Sequence, residues 1–138
     1  MKMIAVIDGQ GGGIGSYIIK ALREEFGENI EVIALGTNAT ATAAMLKARA
    51  NKGATGENAI IWNAPRADII TGSLSIILAN SMLGELTPAM SAAIASSAAK
   101  KVLLPLNQEH VDIVNVQREP LPHLIEKLVE RIKEETDV

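Results

Sequence analysis

The sequence predicts an α/β fold: a three-layer domain of five or six mostly parallel strands with helices on both faces. Three observations predict it. Short aliphatic and β-branched runs recur without the alternation of a half-exposed strand, as parallel strands covered on both faces require. Stretches with apolar residues at helical spacing separate them. The first strand-to-helix junction holds five glycines between Gly9 and Gly15, where the chain must turn at once.

Residues 3–7 (Met-Ile-Ala-Val-Ile) form the first strand. Ile14, Ile18, Ala21 or Leu22, and Phe26 then recur at the spacing of a first helix, and Gly27 ends it as a C-cap. Residues 30–35 read as strand two, stopped by Gly36. Thr37 or Asn38 caps an Ala-rich helix to about residue 51, which Gly53 and Gly56 break. Ala59, Ile60, Ile61 and Trp62 read as strand three, with a turn at Asn63-Ala64-Pro65-Arg66. Residues 68–71 make strand four. Residues 74–83 are ambiguous, with the length of a short helix after Gly72-Ser73. Thr87-Pro88 is a clearer start, an N-cap followed by proline at the first helical position, for a helix reaching residue 99. Residues 102–106 give strand five and residues 111–116 a sixth. Pro120 and Pro122 open a last helix, striped by Leu121, Leu124, Ile125, Leu128 and Ile132. The alternation reads as one Rossmann-like domain over residues 1–138, without repeat or linker.

Composition narrows the function. The 138 residues suffice for one core, and 48% of them are apolar. The formal charge is −3, Lys100-Lys101 is the densest basic pair, and there is one Trp, one Tyr and one Phe. Nucleic acid, which needs clustered cations or stacking aromatics, is therefore not an expected partner. The absence of cysteine excludes disulfides, thiolate metal sites and cysteine nucleophiles. The first apolar run stops at Asp8, and polar residues interrupt residues 69–86, so no membrane span is expected and the cytoplasm is the expected location.

The segment Asp8-Gly9-Gln10-Gly11-Gly12-Gly13-Ile14-Gly15-Ser16 carries the main functional signal. Amides at a helix start are unpaired and favour an anion, and absent side chains let a phosphate approach the backbone. Gly12 is expected to face that phosphate. Gly9, Gly13, Ile14 and Gly15 give Gly-x-x-x-Gly-Ile-Gly, which resembles the cofactor loop of short-chain dehydrogenases; the glycine richness also resembles the first nucleotide loop of tubulin-like GTPases. No Gly-Lys-Ser/Thr occurs, so the loop lacks the phosphate lysine of a Walker motif. The alternative is that the glycines only let a helix pack closely on a strand. Asp8 could orient a ligand hydroxyl or a magnesium-bound water, or simply bond the amides that follow it.

Ligands of open α/β sheets bind beyond the carboxyl ends of the strands. On this reading those ends carry Asp8, Gly36-Thr37-Asn38, Asn63, Thr71-Gly72-Ser73 and Asn107-Gln108. Strand two ends in Gly36-Thr37-Asn38 and lacks the acid that holds an NAD ribose. The Tyr-x-x-x-Lys pair of short-chain dehydrogenases is also missing, since Tyr17 and Lys20 are one position too close. His110 and His123 read as surface histidines, and no metal site is expected.

Several segments together resemble a family of short bacterial proteins known as domain of unknown function 3842. They are residues 4–15, Ala34-Leu35-Gly36-Thr37-Asn38, Ala54-Thr55-Gly56-Glu57-Asn58-Ala59, Ala79-Asn80-Ser81-Met82-Leu83-Gly84-Glu85 and Pro120-Leu121-Pro122-His123-Leu124. The resemblance covers nearly the whole chain and draws attention to Asn80, Glu85 and Glu57, which strand ends do not select. The expected function is binding of a nucleotide or other phosphorylated small molecule at the glycine loop, as a sensor or accessory protein. The alternatives are a small NAD(P)-dependent oxidoreductase and an interaction protein without ligand. A homo-oligomer is compatible with the small-residue helix 89–99.

Overall fold

A computed structural model describes residues 1–136. Five strands, β1 (Met3–Asp8), β2 (Glu31–Gly36), β3 (Lys52–Thr55), β4 (Ile69–Ser73) and β5 (Lys100–Leu104), form one parallel sheet in the order β3-β2-β1-β4-β5. The helices are α1 (Gly13–Phe26), α2 (Ala39–Lys47), α3 (Glu57–Asn63), α4 (Pro88–Ser96) and α5 (Leu121–Thr136). Single 3₁₀ turns occupy Ala64–Arg66 and Leu74–Ile77. This is the Rossmann-like order, and its direction reverses between β1 and β4.

Side chains of a strand alternate between faces, so two cores form. Ile4, Val6, Val32 and Ile69 pack with Ile18, Leu22 and Phe26 of α1, Met45 of α2, and Leu128 and Ile132 of α5. Ala5, Ile7, Ile33, Leu35 and Ile70 pack with Ile60 of α3, Met90 and Ile94 of α4, and Leu86. Each fully buried aliphatic side chain contributes roughly 1.5–3 kcal/mol relative to exposure.

Three sequence expectations are corrected. Residues 59–62 are helical, inside α3, not the third strand. Only Ile60 of that helix is buried, while Ile61 and Trp62 face water, with the Arg66 guanidinium 3.6 Å above the Trp62 ring. Over so few residues, β-branched content does not separate strand from helix, and Glu57 at the helix start favours the latter. The third strand is instead Lys52–Thr55, an exposed edge strand that pairs Gly53 with Ala34 and Ala54 with Leu35. Its composition is poor for a strand, and the open edge of β2 overrides it. The expected sixth strand does not form: Val111, Ile113, Val114 and Val116 lie exposed in an irregular segment between β5 and α5.

One charged side chain is built into the frame. Arg23 of α1 is 5% exposed. Its guanidinium donates to the carbonyls of Arg49 (2.8 Å), Gly27 (2.9 Å) and Ile30 (3.3 Å) and to Asn51 Oδ1 (2.6 Å). Asn51 Oδ1 also accepts from the Val32 amide at 2.7 Å, so one fork ties α1 to the loops that precede β2 and β3. No helix among the described residues is long and apolar enough to cross a membrane.

Candidate functional site

β1 ends where the strand order reverses, so its last residue opens onto a crevice between the loops on either side. That residue is Asp8, 7% exposed. Its Oδ1 accepts from the Gly9 amide at 2.8 Å and its Oδ2 from the Gly15 amide at 2.7 Å. Asp8 therefore bonds the backbone of its own loop. Burial raises its pKa, the two amides oppose the rise, and the nearby charge of Glu85 adds to it.

The loop glycines divide into two sets. A Cβ on Gly9 would meet the Met82 Sδ and Thr37 Oγ1, and one on Gly15 would meet Met45 and Asp8. Gly12, at φ 75°, is the left-handed N-cap of α1, and its Cβ would lie 2.9 Å from the Cα and carbonyl oxygen of Ala41. Gly12 thus faces α2, not a phosphate, which corrects the expectation for that position. These three glycines serve close packing. Gly11 and Gly13 meet nothing within 4 Å and are exposed. The amides of Gly11, Gly13 and Ile14 have no partner among the described residues, and no side chain caps α1.

A cavity of about 350 Å³ has Gln10 and Ile14 of this region in its wall. Its wall includes Asp8, Gln10, Ile14, Ser73, Ser75 and Asn107 from β1, α1, β4 and the segments after β4 and β5. Met82 and the irregular segment 105–119 complete it, with Glu109, Asp112 and Glu119 outnumbering Arg118. Asn107 Nδ2 donates to the Val111 carbonyl at 3.3 Å, while its buried Oδ1 has no donor among the described residues. Ser75 Oγ donates to Glu109 Oε2 at 3.3 Å. No group of three or more His, Asp or Glu among the described residues could hold a metal ion.

The structure thus brings Asp8, Gln10, Ile14, Ser73 and Asn107 to one cavity. Gly72 lies just inside the sheet from Ser73, where a Cβ would meet the Ile7 carbonyl oxygen at 2.6 Å. Ser16 bonds the Gly12 carbonyl through its hydroxyl at 2.7 Å. Asn63 lies elsewhere. Because 59–63 is helical, Asn63 ends α3 on the way back to the start of β4 and bonds the Ala59 carbonyl at 2.8 Å, away from the strand ends.

Thr37 and Asn38, past the end of β2, meet a residue that the strand-end argument did not select. Glu85 Oε1 accepts from Thr37 Oγ1 (2.6 Å), Asn38 Nδ2 (2.8 Å) and the Gln10 amide (2.9 Å). These donors hold the Glu85 carboxyl below its usual pKa, the Gln10 amide foremost and Thr37 next. Asn38 also caps α2, accepting from the Ala41 amide at 2.8 Å. Glu85 ends a turn in which Asn80 (φ 66°), Met82 (φ 57°), Leu83 (φ 58°) and Gly84 (φ 90°) are left-handed. For residues with a Cβ such backbone costs about 1–2 kcal/mol each. The flanks fix it: Ser81 and Leu86 are fully buried, and Ser81 Oγ bonds the Ser75 carbonyl at 2.6 Å. Glu57, at the start of α3, accepts from Thr87 Oγ1 at 2.6 Å and belongs to the α3–α4 contact.

Among solved structures, the chain is similar to a dodecameric FMN-dependent Ubix-like decarboxylase from Escherichia coli O157:H7, at 14% identity and a TM-score of 0.45, over 100% of this chain and 95% of that one. No curated protein matches it. Residues 3–137 match the family described as "Domain of unknown function (DUF3842)", and the chain belongs to that family.

Proposed function

We propose that the protein binds a mononucleotide or other phosphorylated small molecule at the switch point, in a sensing or accessory role. The observation that carries this reading is the cavity of about 350 Å³ beyond β1, β4 and β5, with Ile14, whose amide has no partner among the described residues, in its wall. The phosphate would meet the amides of Gly11, Gly13 and Ile14, at the positive end of α1. The body of the ligand would enter the cavity, where acceptors dominate. Glu109 and Asp112 suit the hydroxyls of a sugar.

The volume is near the lower end of ligand sites, which span roughly 300–1,000 Å³, and favours a mononucleotide or sugar phosphate over a dinucleotide. Both oxygens of Asp8 are committed to amides, which suits an anchor of the loop better than a general base. These points count against the NAD(P) oxidoreductase reading.

The test is calorimetry and thermal shift with adenosine monophosphate and ribose 5-phosphate, beside adenosine and ribose. A ligand at about 100 times its dissociation constant adds about 2.7 kcal/mol of stability. The phosphorylated compounds are expected to stabilise the protein and the plain ones much less, with Gly13→Ala weakening the former. Equal responses with and without phosphate, or none, would overturn the reading.

A further inference from the structure

We infer that the tip of the 80–86 turn is a built-in occupant of a second oxyanion pocket: Glu85 fills a site that a ligand phosphate or carboxylate takes by displacing it. Three donors from two places in the chain, the Gln10 amide and the neighbouring Thr37 Oγ1 and Asn38 Nδ2, converge on the single atom Glu85 Oε1 within 2.6–2.9 Å. That is the donor set of an oxyanion site, and the anion in it is the protein's own. The three donors stay in place without Glu85, because each belongs to an element secured independently. Gln10 is the second residue of the Gly9–Gly12 turn, whose Gly12 amide bonds the Gly9 carbonyl at 2.9 Å. The Thr37 amide bonds the Asp8 carbonyl at 3.0 Å. Asn38 is fixed as the cap of α2.

The occupant is built to leave. Ser81 and Leu86 are buried anchors, whereas Leu83 at the tip is 97% exposed and the backbone between them is held in the left-handed region. Release would relieve that backbone and return the carboxylate to water. It would also separate Glu85 from Asp8, whose charge it opposes.

Displacement would also change the shape of the crevice. Met82 walls the cavity beside Gln10, and Glu85, three residues on, closes the side toward Thr37 and Asn38. With the tip withdrawn, the cavity and the oxyanion pocket would be continuous across the ends of β4, β1 and β2. This inference adds a second ligand position to the one proposed at α1, and its pocket shares no donor with that site.

The probe is inorganic phosphate, with acetate in a parallel arm, titrated at pH 7 and constant ionic strength into ¹⁵N-labelled protein. In Glu85→Ala, the Gln10 amide and the Asn38 side-chain amide are expected to shift saturably, with at least tenfold tighter apparent affinity than in the parent. The stronger arm distinguishes a phosphate from a carboxylate pocket. Glu85→Gln keeps the docked turn but loses the charge, so its affinity should lie between the two. It carries the test if Glu85→Ala does not fold. The inference is overturned if Gln10 and Asn38 in the folded variant respond as weakly as in the parent. Gly13 and Ile14 report separately on the α1 site. Their response with Gln10 silent sinks the inference alone, and a response of Gln10 with theirs absent sinks only the proposed α1 site.

Discussion

The Asp8 carboxylate ends 2.7 Å from the Gly15 amide, so the last residue of β1 holds the first turn of α1. Its burial gives a prediction about acid. A carboxyl whose folded pKa is raised contributes most below the unfolded value, about 3.9, and that contribution is lost as pH rises through the folded value. Glu85 has the opposite sign. Its lowered pKa contributes above the unfolded value, about 4.3, and is lost as pH falls through the folded one. Urea midpoints from pH 3 to 7 should show the parent losing ground to Asp8→Asn as pH rises and gaining on Glu85→Gln. The same slope in both comparisons would contradict this.

The two glycine sets should separate in stability. Gly12→Ala puts a Cβ against the Ala41 backbone at a left-handed residue and is expected to cost about 2 kcal/mol. Gly13→Ala meets open space in a helical position and should be neutral or stabilising by up to about 1 kcal/mol. Denaturant midpoints decide, and equal damage at the two positions would refute the division.

Arg23→Ala removes four hydrogen bonds to carbonyl and amide oxygens and should cost about 3 kcal/mol or more. Arg23→Lys keeps the charge but not the planar fork and should cost about 2 kcal/mol. If lysine proves silent in chemical denaturation, the geometry of the fork is not what matters.

Leu83→Asn should stabilise the protein by about 0.5–1 kcal/mol. Asparagine tolerates the left-handed backbone at φ 58°, and a side chain 97% exposed has little packing to lose. A thermal midpoint below that of the parent would show that the leucine has an unrecognised contact.

Much of this was legible in the sequence because strong signals were local. The run Ile4-Ala5-Val6-Ile7, the stripe Ile14-Ile18-Leu22-Phe26 and the Thr87-Pro88 start each report their own element. β3 was not legible, because Lys52-Gly53-Ala54-Thr55 becomes a strand only through the edge that β2 offers. Residues 111–116 failed for the converse reason: their composition suits a strand, yet they take no place in the sheet. At the candidate site, the glycine loop and Asp8 could be read from order along the chain. Glu85 could not, because it reaches Thr37 across 48 residues. Family resemblance flagged it, and only the fold shows what it touches.

The lateral strands of the sheet have a further consequence. β3 begins at Lys52, paired with Glu31 at 3.7 Å, and β5 begins at Lys100-Lys101, with Lys100 near Glu135 at 3.9 Å. Such exposed pairs add little to stability. A second copy adding its own lateral strand to either rim would strip these ammonium groups of water, which opposes open-ended stacking into fibres. The rims oppose edge-to-edge strand addition, while the proposed ligand site lies at the tips of the strands. The rims and the proposed site fall on different parts of the sheet, and substitutions at one should leave the other largely untouched.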